Sequence, residues 1–143
     1  MRKGMIMIAG LVLMLGACSD PKQEKVTELR KRAIEVHDEV MPRMGEIMEV
    51  SGQLKKYRET VVIDSLDSTG AARLVFTERI GDLETAHEAM MAWMADYDPT
   101  YEVDHPIDSA IVYYEAQIGL IEEVKRVMEK SIDDGKQLVD EQK

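Results

Sequence analysis

Apolar residues recur at alternating steps of three and four along most of this chain. From Val26 the series runs through Arg30, Ala33, His37, Val40, Met44, Ile47, Ser51, Leu54, Arg58 and Val61. That period describes the seam of a long helix packed along its length against others. It predicts a first helix from about Gln23 to about Thr60, roughly 55 Å long at ~1.5 Å per residue. Pro42 falls inside it, forfeits the hydrogen bond to the Asp38 carbonyl, and should kink it. The cluster Asp64-Ser65-Leu66-Asp67-Ser68-Thr69-Gly70 predicts the first connection. A second seam follows through Phe76, Ile80, Leu83, His87, Met90, Met94 and Tyr97, and Asp98-Pro99 ends it, because the residue before a proline disfavours the helical region. A loop through Tyr101 and Asp104 leads to Pro106, which suits the first turn of a third helix. That helix carries the cleanest seam: Ile107, Ile111, Tyr114, Ile118, Ile121, Lys125, Met128, Ile132, Gly135 and Val139. Eight of these ten are apolar, and no stretch shows the period of a half-buried strand. The expected fold is all-α, an antiparallel up-down-up bundle of three long helices. Tyr113, Leu120 and Val124 lie beside the third seam, either as a wide core stripe or as a flank offered to a partner.

The opening of the chain follows another pattern. Arg2 and Lys3 form a basic head, and Met5 to Leu15 runs almost wholly apolar. That run is short of the ~20 residues needed to span a bilayer and reads as a secretory signal. Leu15-Gly16-Ala17-Cys18 resembles the lipobox of bacterial lipoproteins, in which the cysteine is acylated and becomes the mature N-terminus. The resemblance implies a cleaved signal over 1–17, a lipidated Cys18 with a polar tether over 18–25, and a helical bundle domain over 26–143. In that family Asp directly after the cysteine retains the protein at the inner membrane. Ser19 stands there instead, which favours the outer membrane, on its periplasmic or outer face. Ser19-Asp20 with Glu24 also resembles, faintly, an acidic surface-export signal.

Charge and cysteine usage narrow the functional classes. Lys and Arg number 18 against 28 Asp and Glu, a net charge of −10, and losing Arg2 and Lys3 with the signal makes it −12. Such a field repels nucleic acid and anionic head groups, so the lipid on Cys18 has to hold the protein at the membrane. Cys18 is the one cysteine, which leaves no thiol for a disulfide, a thiolate metal site or a nucleophile. Carboxylates are scattered along solvent faces, as in Glu122-Glu123 and Asp133-Asp134, without the convergence that acid/base chemistry needs. Phosphate-binding glycine loops and hydrolase motifs are not apparent. The sequence reads as non-enzymatic.

One constellation has chemical potential. His37-x3-Met41-x2-Met44 recurs as His87-x3-Met91-x2-Met94. At 100° per residue these offsets place three side chains within about 60° on one helix face. A fold-back near residue 65 would set His37 level with Met94, and Met44 close to His87, with Tyr113 and Tyr114 arriving from the third helix. Imidazole and thioether donors suit Cu(I) better than Zn(II), Mg(II) or Ca(II). The competing reading is a structural core, since Met fills irregular space and a seam histidine can simply be hydrogen-bonded. A His/Met pair also ligates haem iron, but no Cys-x-x-Cys-His is present and a three-helix core leaves little room for the macrocycle.

HDEVMPRMGEI (37–47) and HEAMMAWMADYD (87–98), with the lipobox and the length, resemble a group of small lipoproteins of Bacteroidota, some labelled viral A-type inclusion protein-like. That group has no established activity. The resemblance implies an envelope location and a helical fold, and transfers no ligand or catalytic residue. The expectation is a lipid-anchored, non-enzymatic interaction or structural module of the envelope, binding another protein through its bundle flanks, with a soft-metal (Cu(I)-type) binding protein as the alternative.

Overall fold

The computed structural model describes residues 20–64 and 70–143, for 61–64 the backbone alone. The signal, Cys18, Ser19 and most of the first connection lie outside the described residues, as does the side chain of Val61. Helix α1 spans Pro21–Val40. Asp20 caps it, its Oδ1 accepting from the Lys22 N–H at 2.9 Å, and Pro21 fills the first turn, where its missing N–H costs nothing. The polar stretch read as tether is therefore helical from Pro21, two residues before the expected start.

Pro42 acts where the sequence placed it. The chain tightens into a single 3-10 turn over Met41–Arg43 and resumes as α2, Met44–Asp64. With no N–H on Pro42 the bond to Asp38 is lost, and the tighter turn re-pairs the Met44 N–H with the Met41 carbonyl. Then come α3 (Ala71–Asp96), the single turn α4 (Tyr101–Asp104) and α5 (Ile107–Asp140). The sequence reading had a loop where α4 stands. Asp98 sets it up, its Oδ1 accepting from the Thr100 N–H and hydroxyl, each at 2.8 Å.

Ion pairs display the up-down-up order. Lys22–Asp108, Lys25–Glu115, Arg32–Glu122, Glu39–Lys125, Arg43–Glu129 and Glu46–Lys136 each join residues 86 or 90 apart. A constant separation means that α1 and α2 both run parallel to α5, in one register on either side of the Pro42 turn. Helix α3 runs the other way, pairing Arg79 with Asp134 and Trp93 with Gln117. Helix α1 packs chiefly on α5, while α2 packs on both α3 and α5. Exposed ion pairs are worth ~0–1 kcal/mol each, so they select register more than they supply stability.

Most of the seam is core. Val26, Ala33, Val40, Ile47, Leu54, Phe76, Ile80, Leu83, Met90, Ile121, Met128 and Ile132 are buried. Val36, Val50, Ala86, Trp93 and Val124 join them from beside the seam. Each helix touches two others, so the buried stripe is wider than one seam. Tyr113 is half-buried in the same way, and of the three flank residues only Leu120 is exposed. Among the described residues, no helix is long and apolar enough to cross a membrane.

The tightest contact is at Gly135. A Cβ there would lie 2.7 Å from Val50 Cγ1 and 3.3 Å from Leu83 Cδ1, so α5 touches α2 and α3 through its bare backbone. Val50 is β-branched and cannot swing aside cheaply. Gly135→Ala should therefore cost about 1–3 kcal/mol by denaturant melt, although alanine is the better helix former. Gly119→Ala, on the same helix with nothing within 4 Å of the added carbon, should instead stabilise by about 0.4–1 kcal/mol.

Candidate functional site

Aromatic rings collect where α3 turns through α4 into α5. His37 stacks on Trp93 at 5.6 Å between centroids, Trp93 on Tyr97 at 4.6 Å, and Tyr97 faces Tyr113 at 6.5 Å. Tyr113 stacks on Tyr101 at 4.0 Å, and Tyr101 on His105 at 3.7 Å. Tyr114 packs edge-on against Tyr113 and is wholly buried. Its hydroxyl donates to Glu102 Oε2, while Arg30 grips Oε1 of the same carboxylate. One carboxylate thus ties α4 to α1 and α5. Tyr113 Oη accepts from the Asp98 N–H at 2.6 Å and fixes the turn before α4.

Burial, more than any neighbour, sets the acidity of these phenols. It pushes Tyr97 from 10.0 up to about 12, with a further push from Tyr113. Burial also raises Tyr114, reinforced by its hydrogen bond to Glu102. Tyr97 Oη is buried without a partner among the described residues. These contacts tie α1, α3, α4 and α5 together at one corner.

The two His/Met clusters go to different surroundings. His37 is largely buried, its Nδ1 is 2.9 Å from Asp38 Oδ1, and its ring lies on Trp93, one residue from the Met94 level read from the sequence. The 3-10 turn interrupts the regular spacing that would align His37, Met41 and Met44. Met41 is exposed, while Met44 and Met94 pack against the main core.

His87 lies elsewhere, in a groove of about 320 Å³ between α2 and α3 that is lined by Ile47, Met48, Ser51, Gly52, Lys55, Glu84 and Glu88. The pairing of His87 with Met44 gives way to Met48 and Ser51, because α2 continues to Asp64 and α3 starts only at Ala71. The Lys55–Glu84 pair at 2.8 Å sets a register between α2 and α3 that differs from the one expected of a fold-back at residue 65. His87 makes no hydrogen bond, ion pair or ring contact with any described residue. His37 and His105 are both engaged, the latter through Nδ1 with the Tyr101 carbonyl at 2.8 Å. Ser51 Oγ is likewise buried and unpartnered among the described residues. Met48, which lies in the first methionine cluster but outside the His-x3-Met-x2-Met spacing, is the residue that the motif left out and the groove includes. No group of three or more His, Cys, Asp or Glu converges for a metal ion among the described residues.

No protein-family model matches the chain, and no curated protein or solved structure matches it either. No functional residue can be carried over from a relative.

The corner makes a paired prediction. Tyr114→Phe removes a hydrogen bond to a carboxylate and should cost about 1.5–3 kcal/mol. Tyr97→Phe removes an unpartnered hydroxyl and should be neutral or stabilising by the same melt. Both phenols hold their protons above pH 10 in the native state, so native protein binds more protons there than unfolded chain. Stability should be intact below pH 10 and fall as pH rises towards 12, more shallowly in Tyr97→Phe.

Proposed function

We propose that this protein is a non-enzymatic module of the bacterial cell envelope, held at the outer membrane by lipid on Cys18, that docks a helix of another envelope protein on the outer face of α5. The observation that carries the docking is a strip on that helix. Val112 and Leu120 are 66% and 55% exposed, with Ala116 and Gly119, also exposed, between them. Offsets of zero, four, seven and eight fall on one face, and the two small residues leave room for another helix to approach. The lipobox pattern supports the anchor. The negative charge supports it too, because a chain that anionic head groups repel needs a covalent hold on the membrane.

Two experiments test this reading. Metabolic labelling with an alkynyl fatty acid should mark the protein in membranes, and Cys18→Ala should abolish both the label and the membrane fraction. A photo-crosslinking residue at position 116 should give one discrete heteromeric species in envelopes. Leu120→Lys should remove that species while changing stability by no more than about 0.5 kcal/mol, as an exposed substitution does. Failure to crosslink in correctly anchored protein would sink the docking reading.

A further inference from the structure

We propose that His87, Met48 and Met91 form a binding site for one soft monovalent cation of the Cu(I) class. The site stands apart from the α5 strip and does not depend on the docking reading. Its geometry follows from the antiparallel register of α2 and α3. Counting seven residues along each helix from the Lys55–Glu84 pair brings Met48 level with Met91. Counting three brings Gly52 level with His87. Gly52 has no side chain, and a Cβ built on it meets nothing within 4 Å, so space is open beside the imidazole. Met91 follows His87 by four residues, which makes them neighbours on one helix face.

The donors are uncommitted. His87 is the one histidine of the three with no partner among the described residues. Met48 and Met91 are 64% and 49% exposed, so neither thioether is fixed in the core. A methionine turns about three side-chain bonds, and two such arms can close on a metal without repacking the bundle. One imidazole nitrogen and two thioethers are neutral, soft donors, the set that selects Cu(I) over Zn(II) or Ca(II). The carboxylates of Glu84 and Glu88 line the groove but do not form a three-ligand set with His87. A ligating histidine donates its second ring N–H to an acceptor, and Ser51 Oγ, buried and unpartnered among the described residues, lines the same groove as those carboxylates.

This assignment uses one triad of the six residues named by the sequence pattern in a changed form. His87 and Met91 stay, and Met48 takes the place of Met94, which packs against the core. His37 is excluded by its engagement with Trp93 and Asp38.

Ag(I), which shares the donor preference and has no redox chemistry here, is the probe. The full chain, purified in detergent with its methionine methyl groups labelled with carbon-13, is titrated with Ag(I) in chloride-free buffer, and the methyl resonances are followed by NMR. Cu(I) is then competed against a chelator under reductant. The result expected is one equivalent bound, with shifts centred on Met48 and Met91. Affinity should fall at least tenfold in His87→Ala and in each of Met48→Leu and Met91→Leu, and stay unchanged in His37→Ala. The leucine variants keep volume and lie at exposed positions, so their melts should match the parent. No binding at micromolar metal would overturn the proposal, as would shifts centred on Met41, Met44 or Met94, or affinity that survives His87→Ala.

Discussion

The bundle depends on one close approach, the contact of the Gly135 backbone with Val50 and Leu83. Three helices can share a core only if their axes come near enough for their side chains to interlock. At this level α5 contributes no side chain at all. Val50 fills the space that a Cβ would take, Leu83 crowds it and Leu54 lies in contact beside it, and Met128, Ile132 and Val139 continue the packing above and below. Burying a side chain of that size contributes ~1.5–3 kcal/mol, against ~0–1 for each surface ion pair. Packing therefore holds the bundle together. The ion pairs along α5 have a different part, making slippage by one helical turn unfavourable at six places at once.

Pro42 divides the molecule into two ends of different character. Beyond it, α2, α3 and α5 close around a mainly aliphatic core that also takes in Phe76, with Gly135 at its tightest point. Before it, α1 follows α5, and the space beside α3 is taken by rings. Aromatic side chains bury large areas but carry polar tips that need partners. The Tyr114–Glu102–Arg30 network and the Tyr113–Asp98 bond supply them. The turn α4 exists because those partners hold it, since four residues of helix have little stability alone.

The long elements were legible because their seams are long. Ile107 to Val139 reads as a single face, and the structure buries most of it. Other features had no such signal. Helix α2 persists to Asp64, and nothing in an apolar seam fixes where a helix stops within a polar stretch. The register expected from a fold-back at residue 65 put Met44 beside His87, where the groove has Met48. Arg30 was read correctly as a seam position, but its carboxylate partner Glu102 comes from 72 residues away, beyond the reach of local pattern. The matching His-Met-Met spacings suggested equivalence. Pro42 breaks that equivalence, since a 3-10 turn rotates the residues after it relative to an unbroken helix.

What separates the three histidines is their company. His37 and His105 lie against aromatic rings with a hydrogen-bond acceptor at Nδ1, an arrangement that fixes a ring. His87 has neither. Its half-buried imidazole shares a groove with a side-chain-free glycine and the Met48 thioether, and Met91 follows one helical turn on. The charge of the whole chain adds a bias of its own. At −10, the surface draws cations of every kind towards the molecule, and salt screens that attraction over about 10 Å. Selectivity cannot come from such a field. At the proposed site it would come from the neutral donors, because hydrated hard cations gain nothing from sulfur and a soft one exchanges water for it.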